Sequence, residues 1–240
     1  MYLDHIVHFI EEEPEGAVEA WKEYGFHAAN GGRHMDWGTH NALLYFKDSY
    51  IEWLAIEKLD IAKGADHPLT QLLLHDRKGF GTVCLRTENI GQLDERLKRE
   101  GLETTGVLAA ERKTESGEVI KWKMLFIKEA VSDRLPSPFF IQWNESDSSR
   151  YEGLRKRGAI LPDNEKVSIE RCVFGVRDPE ASAEKWRKIL GSLQLPNCRF
   201  EFQETGKPQE RLEGVFLAGG TERVSFEDGV YCVPSSGNIR

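Results

Sequence analysis

Three amphipathic helices in this chain end on glycine, at Gly25, Gly101 and Gly191. An apolar strand precedes each helix and further strands follow it. A strand–helix–strands unit is thus written three times, with stop glycines spaced by 76 and 90 residues. A supersecondary unit repeated at wide spacing restricts the fold more than any single motif does. In the first unit "YLDHIVHFI" alternates like a strand, and "PEGAVEAWKEYG" reads as a helix. Pro14 suits a first helical position, Ala17, Trp21 and Tyr24 share one face, and Gly25 is the stop. "HNALLYF" and "SYIEWLAIE" then flank Lys47-Asp48, a hairpin signal. The second unit runs from "GFGTVCLRT" through a helix capped by Asn89, with Ile90, Leu93 and Leu97 on one face, to "VIKWKMLFI" and "PFFIQWNE". The third has "IERCVFGV", a helix opened by Asp178-Pro179, and the strands "CRFEFQE", "RLEGVFLAG" and "ERVSFED". Ferredoxin-like units give a similar local pattern, so periodicity alone leaves the fold open.

Two segments interrupt the repeat. Residues 66–79 predict a short helix after Pro68 that bridges units one and two. Residues 146–166 are polar, contain Gly and Pro, and read as a linker and domain boundary. The expected division is 1–145 as paired units, 146–166 as linker and 167–240 as a third unit. A length of 240 residues allows one or two domains. The net charge of -8, with 30% charged residues, favours solubility and argues against non-specific nucleic-acid or bilayer affinity. Cys84, Cys172, Cys198 and Cys232 form no CxxC pair and read as reduced, mostly buried thiols. The first residues lack a basic n-region, and no apolar run approaches the ~18 residues of a membrane span. The expectation is a cytoplasmic protein with neither nucleic acid nor membrane as partner.

The stretches "LDHIVHF", "GGRHMDWGTHNALLYF", "YIEWLA" and "DHPLTQLLL" resemble the vicinal-oxygen-chelate superfamily, and more narrowly its glyoxalase-like domain family. The resemblance implies an α+β fold. Repeated βαβββ units form an open, barrel-like mixed sheet with helices outside, and two units wrap a small-molecule cavity. It also implies a metal held by the first and last strands of each unit, commonly His on the first and Glu on the last.

Strand alternation bears on the same surface independently. Leu3, His5, Val7 and Phe9 fall on one face, and Asp4, Ile6, His8 and Ile10 on the other. With a two-residue turn at Lys47-Asp48, Phe46 pairs Ser49 and Leu43 pairs Glu52. Asn41, Leu43, Tyr45, Tyr50, Glu52 and Leu54 then share a face, so His5 and Glu52 can meet there beside Asn41 and Tyr45. Imidazole and carboxylate suit a divalent Zn, Ni, Mn or Fe ion. The second unit departs from the family pattern, with Thr82 at one ligand position and Gln142 where glutamate is usual. The third unit places Arg171 at the position of His5. The expected metal set is His5, Glu52 and Gln142, leaving an open position for substrate, with Glu52 doubling as the catalytic base. The glycine-rich loop forms the cavity rim. Its Arg33 offers a fork to an anionic group, and His34, Trp37 and His40, with Asn41, Tyr45 and Thr82, complete the substrate-facing set.

Besides a non-catalytic module whose extra unit serves assembly, two functions remain open at this level. One is a metal-dependent glyoxalase-like lyase, isomerase or oxygenase acting on a small polar or anionic molecule. The other is a metal-free protein of the resistance type that binds or sequesters a small molecule. In that case His5 is a hydrogen-bonded core histidine and Glu52 pairs with it or with Arg33. The third unit exposes sheet edges that its own chain or a second copy must cover, so a homodimer is also expected.

Overall fold

The computed structural model describes residues 1–113 and 119–235. The first unit contains β1 (Tyr2–Phe9), α1 (Pro14–Lys22), β2 (Ala29–His34), β3 (Thr39–Tyr45) and β4 (Tyr50–Ile56). Two short helices, α2 (Leu59–Gly64) and α3 (Pro68–Asp76), lead into the second. That unit contains β5 (Gly79–Arg86), α4 (Ile90–Arg99), β6 (Leu108–Lys113), β7 (Val119–Leu125) and β8 (Phe139–Trp143). All eight strands join one mixed sheet in the order β2-β3-β4-β1-β5-β8-β7-β6. In each unit the first strand pairs parallel with the last, β1 with β4 and β5 with β8. The two first strands meet antiparallel at the centre. The sheet curls into a half-barrel with α1 and α4 outside, which is the expected α+β architecture.

The hairpin register follows from its two-residue turn. The Phe46 amide donates to the Ser49 carbonyl at 2.8 Å, and Leu43 lies opposite Glu52. The outer face of the sheet carries Ile6, Leu44, Ile51, Trp53 and Val83, packed with Trp21 of α1 and Leu97 of α4. The inner face carries Val7, Phe9, Leu54, Cys84 and Phe139, packed with Leu69 and Leu73 of α3.

Two irregularities reset the alternation of the central strands. The register passes from Leu3–Leu85 to His5–Cys84, so Asp4 is an extra residue on β1. It then passes from Val7–Thr82 to His8–Phe80, so Gly81 is an extra residue on β5. A bulge turns side chains that strict alternation would place elsewhere. Leu3 therefore joins the outer core, while His5, Val7 and Phe9 look inward.

The segment expected as a linker is folded and packed. It forms α5 (Asp147–Lys156) and α6 (Pro162–Glu165). Tyr151, Leu154 and Ile160 pack against Leu43, Tyr45 and Tyr50, closing one end of the half-barrel. Asn164 Nδ2 donates to the carbonyls of His27 at 2.7 Å and Tyr45 at 3.1 Å. The segment reads as polar because much of α5 faces solvent, so its apolar contact is too sparse to show as a helical stripe.

The remaining elements are β9 (Ile169–Val176), α7 (Pro179–Leu190), β10 (Arg199–Glu204), β11 (Arg211–Leu217), β12 (Glu222–Phe226) and β13 (Gly229–Val233). They form a separate sheet in the order β10-β9-β11-β13-β12. Here the first strand pairs parallel with β10, the strand directly after its helix, and antiparallel with β11. The local pattern repeats that of the first two units, but the pairing order differs. Residues 236–240 of the expected third unit lie outside the described residues. Phe174, Val215 and Tyr231 of this sheet share one core with Ile6 and Trp53. The chain itself thus covers the inner surface of its third unit. Among the described residues, no helix is long and apolar enough to cross a membrane.

Candidate functional site

The curled sheet encloses a cavity of about 80 Å³. His5, Tyr50 and Glu52 come from the first unit, Phe139 and Trp143 from the second, and His67 from the start of α3. The second unit's wall is apolar because Trp122, Met124, Phe139, Ile141 and Trp143 alternate inward along β7 and β8.

A string of polar contacts crosses this cavity. His5 Nδ1 lies 2.8 Å from Asp4 Oδ1, and His5 Nε2 lies 3.4 Å from Glu52 Oε2. Asn41 Nδ2 donates to Glu52 Oε1 at 2.5 Å, and the Gly32 amide donates to Asn41 Oδ1 at 2.8 Å. The imidazole of His5 stacks on Tyr50, with centroids 4.5 Å apart, and meets the edge of Phe139 at 5.5 Å. Histidine, carboxylates and amide are all buried. The first of the two glycines is explained here: a Cβ on Gly31 would fall 1.9 Å from Asn41 Oδ1. Only a residue without a side chain lets this backbone pass the amide that holds Glu52.

Asp4 anchors the string from behind. Its Oδ2 accepts from Arg86 at 3.0 Å, Trp143 Nε1 at 3.0 Å and Arg150 at 3.2 Å. Burial works to raise the Asp4 pKa. Arg150, the hydrogen bond and charge of His5, and Arg86 outweigh it, and the carboxyl sits far below the usual carboxylate range. The Arg150 guanidinium also lies over the Trp143 ring at 4.2 Å. Asp4 is therefore a permanent anion that orients the His5 ring.

The expected site residues divide clearly. His5, Glu52, Asn41, Tyr45, His34 and Trp37 all line the cavity. Gln142 does not. Phe139, Ile141 and Trp143 alternate inward, so Gln142 faces the helix side, where its Oε1 accepts from the Ile90 amide at 2.9 Å. Arg33 points outward, with its side chain 70% exposed and its Nε 2.8 Å from Glu57. His40 lies on the outer face, 3.6 Å from Glu13, because β3 is regular there. Thr82 is buried in a neighbouring pocket and donates to the Ser137 carbonyl at 3.2 Å. Sequence reasoning does not find Asp4, Arg86, Arg150 or His67. Alternation puts Asp4 on the opposite face, and the bulge overrides it. Arg150 sits in the segment that reads as a linker. His67 carries no signal beyond its place before Pro68. It nevertheless stacks on Trp37 at 3.9 Å, and its Nε2 is buried without a hydrogen-bond partner. Burial, then the neighbouring His34, push its pKa down to about 3.

The donor atoms decide how well this cavity suits a metal. Among the described residues, Asp4, His5 and Cys84 are the one group of three whose ligand atoms lie within 4.8 Å of one another. Both Asp4 oxygens are already committed, one to His5 and the other to two guanidinium groups and an indole. Burial, then the Asp4 and Glu52 charges, push the Cys84 thiol well up, so it stays protonated. The separation of His5 Nε2 and Glu52 Oε2, 3.4 Å, is the bite two ligands have on a tetrahedral ion. They are two donors where a protein-held catalytic centre uses three. The second unit faces them with aromatic and aliphatic groups, so the donor set falls short of a metal centre.

The fold has counterparts among known proteins. A structure of a hypothetical protein from Staphylococcus aureus superposes with a TM-score of 0.81 at 24% identity, covering 96% of this chain and 97% of that one. Methylmalonyl-CoA epimerase from Mycobacterium tuberculosis matches with a TM-score of 0.43 at 16% identity, over 62% of this chain and 91% of that one. A variant of the Streptomyces coelicolor methylmalonyl-CoA epimerase, in complex with 2-nitronate-propionyl-CoA, gives 0.43 at 15% identity, over 60% and 99%. A comparison with curated proteins finds no match. The sequence model for the glyoxalase-like domain matches residues 3–190, so the chain belongs to the glyoxalase-like domain family.

Proposed function

We propose that this protein binds a small, largely apolar molecule with an oxygen function inside the curled sheet, and that His5 and Glu52 move a proton on it without a metal. The observation that carries this reading is the His5 ring, held between Asp4 Oδ1 at 2.8 Å and Glu52 Oε2 at 3.4 Å in a cavity whose second-unit wall is aromatic and aliphatic. Asp4 accepts from Nδ1–H and fixes the tautomer, which aims Nε2 at Glu52 and the cavity. A histidine oriented by one carboxylate is equipped for general acid–base work. Nε2 takes a proton from a carbon beside a carbonyl, the C–H electron pair passes to the carbonyl oxygen as an enolate, and the imidazolium that forms lies between two carboxylates. Asn41 keeps Glu52 within reach to accept or return that proton. A surround of Tyr50, Phe139 and Trp143 excludes water and strengthens these charge interactions. The outward placement of Arg33 moves the expected ligand from an anionic compound toward a neutral carbonyl compound.

The test combines two measurements on protein purified without chelator or affinity-tag nickel. Elemental analysis after incubation with Zn, Ni, Mn and Fe(II) is expected to find no stoichiometric metal. Deuterium exchange at the α-carbons of butane-2,3-dione in D₂O is expected above the buffer rate, and lost in His5→Ala and Glu52→Gln. Near-stoichiometric metal in the parent, absent from a His5→Ala/Glu52→Ala variant, would favour the metal-dependent lyase or oxygenase instead. Exchange no faster than buffer would remove the acid–base role.

A further inference from the structure

A second pocket of about 210 Å³ lies against the cavity, roofed by residues 126–138. Leu69 of α3 and Phe139 of β8 line both spaces, so these two side chains part them. Phe139 stacks on Phe126 at 5.0 Å on one side and meets the His5 ring on the other. The charged groups around the outer pocket have partners within the protein. Glu129 accepts from the Ser137 amide, from its hydroxyl at 3.0 Å and from Lys185 at 3.0 Å. Thr82 donates to the Ser137 carbonyl, and Arg134 pairs with Glu210 at 3.0 Å. What remains for a ligand is apolar wall, including Leu72, Phe126, Ile127, Val131 and Leu135.

Resting on the carbonyl-binding reading above, we infer that the natural ligand is elongated. Its carbonyl head lies at His5 and Glu52, and an unbranched apolar tail passes Leu69 and Phe139 into the outer pocket. The charged side chains around the outer pocket, Glu129, Arg134 and Lys185, are each held in an ion pair with another side chain, so tail recognition comes from burial of methylene groups on the apolar wall. The inner cavity alone is too tight to bury more than a short head.

The full-length protein is titrated with 2-alkanones from butan-2-one to decan-2-one, following quenching of the cavity tryptophans. Affinity is expected to rise about fourfold per added methylene once the chain outgrows the inner cavity, the transfer value of a buried CH₂. Val131 is 40% exposed at the rim, so Val131→Trp fills the subsite with little effect on folding. It should erase the gain for long ketones and leave butan-2-one binding unchanged. Leu72→Ala, which widens the subsite, should let the rise continue to longer chains. Equal affinity for butan-2-one and decan-2-one, or equal losses for both in Val131→Trp, would overturn the tail subsite alone. Failure of every ketone to bind would overturn it together with the reading on which it rests.

Discussion

Acidification should unfold this protein through two histidines that lie outside the His5 string. His8 is fully buried on the outer face. Its Nε2 donates to the Glu227 carbonyl at 2.9 Å, and its Nδ1 meets the Tyr231 hydroxyl at 2.5 Å, tying β1 to the second sheet. Burial pushes its pKa down to about 4, against the opposing effects of the Glu227 carbonyl and the Asp228 charge. His67 is pushed down to about 3. Unfolded histidine titrates near 6.5. Between that value and the folded ones the unfolded chain binds more protons, so stability is present above pH 6.5 and is lost as pH falls toward 4. Going from pH 7 to pH 5 should cost roughly 2 kcal/mol per histidine, or about 4 kcal/mol for both. Urea unfolding of the parent and of a His8→Gln/His67→Gln variant at pH 7, 6 and 5 measures this directly. Carboxylates ordinarily titrate below pH 5, and against burial two are lowered further, Asp4 by Arg150, His5 and Arg86, and Glu210 by the Leu135 and Arg177 amides and then Arg134. The variant should therefore start less stable and change little. Parallel pH profiles for parent and variant would show that these histidines do not carry the acid sensitivity.

Three further outcomes follow from the site. Asp4→Asn leaves Arg86 and Arg150 buried without their shared anion, and should cost about 3–5 kcal/mol in urea unfolding. Gly31→Ala drives a Cβ into Asn41, and should abolish the deuterium exchange activity while the far-ultraviolet circular dichroism spectrum stays that of the parent. Leu154→Ala, a cavity behind Tyr45 and Tyr50, should lower stability by about 2–5 kcal/mol and weaken butan-2-one binding, measured by melting and fluorescence titration.

Local chemistry is legible from sequence, and here it reaches far. Alternation and a two-residue turn put Asn41, Tyr45, Tyr50 and Glu52 on one face, and the structure brings them to His5. The glycine stops and caps mark α1, α4 and α7 for the same reason, since each signal acts within a few residues. What depends on the meeting of distant segments is not legible. The bulge that turns Asp4 inward arises from pairing with β5, and Arg86, Trp143 and Arg150 converge on it from three separate elements. Gln142 stands at a ligand position in the family pattern, but the inward phase of β8 comes from its pairing with β7 and β5 and gives that face to Trp143. The third unit repeats the local pattern of the others and pairs its strands differently. Elements, their capping and the face of each regular strand can be read from the chain alone, because they follow from short-range sterics and hydrogen bonding. Strand order in the second sheet, the bulge and the buried charge cluster appear only in the folded molecule, because those energies exist only once remote parts of the chain share one low-dielectric interior.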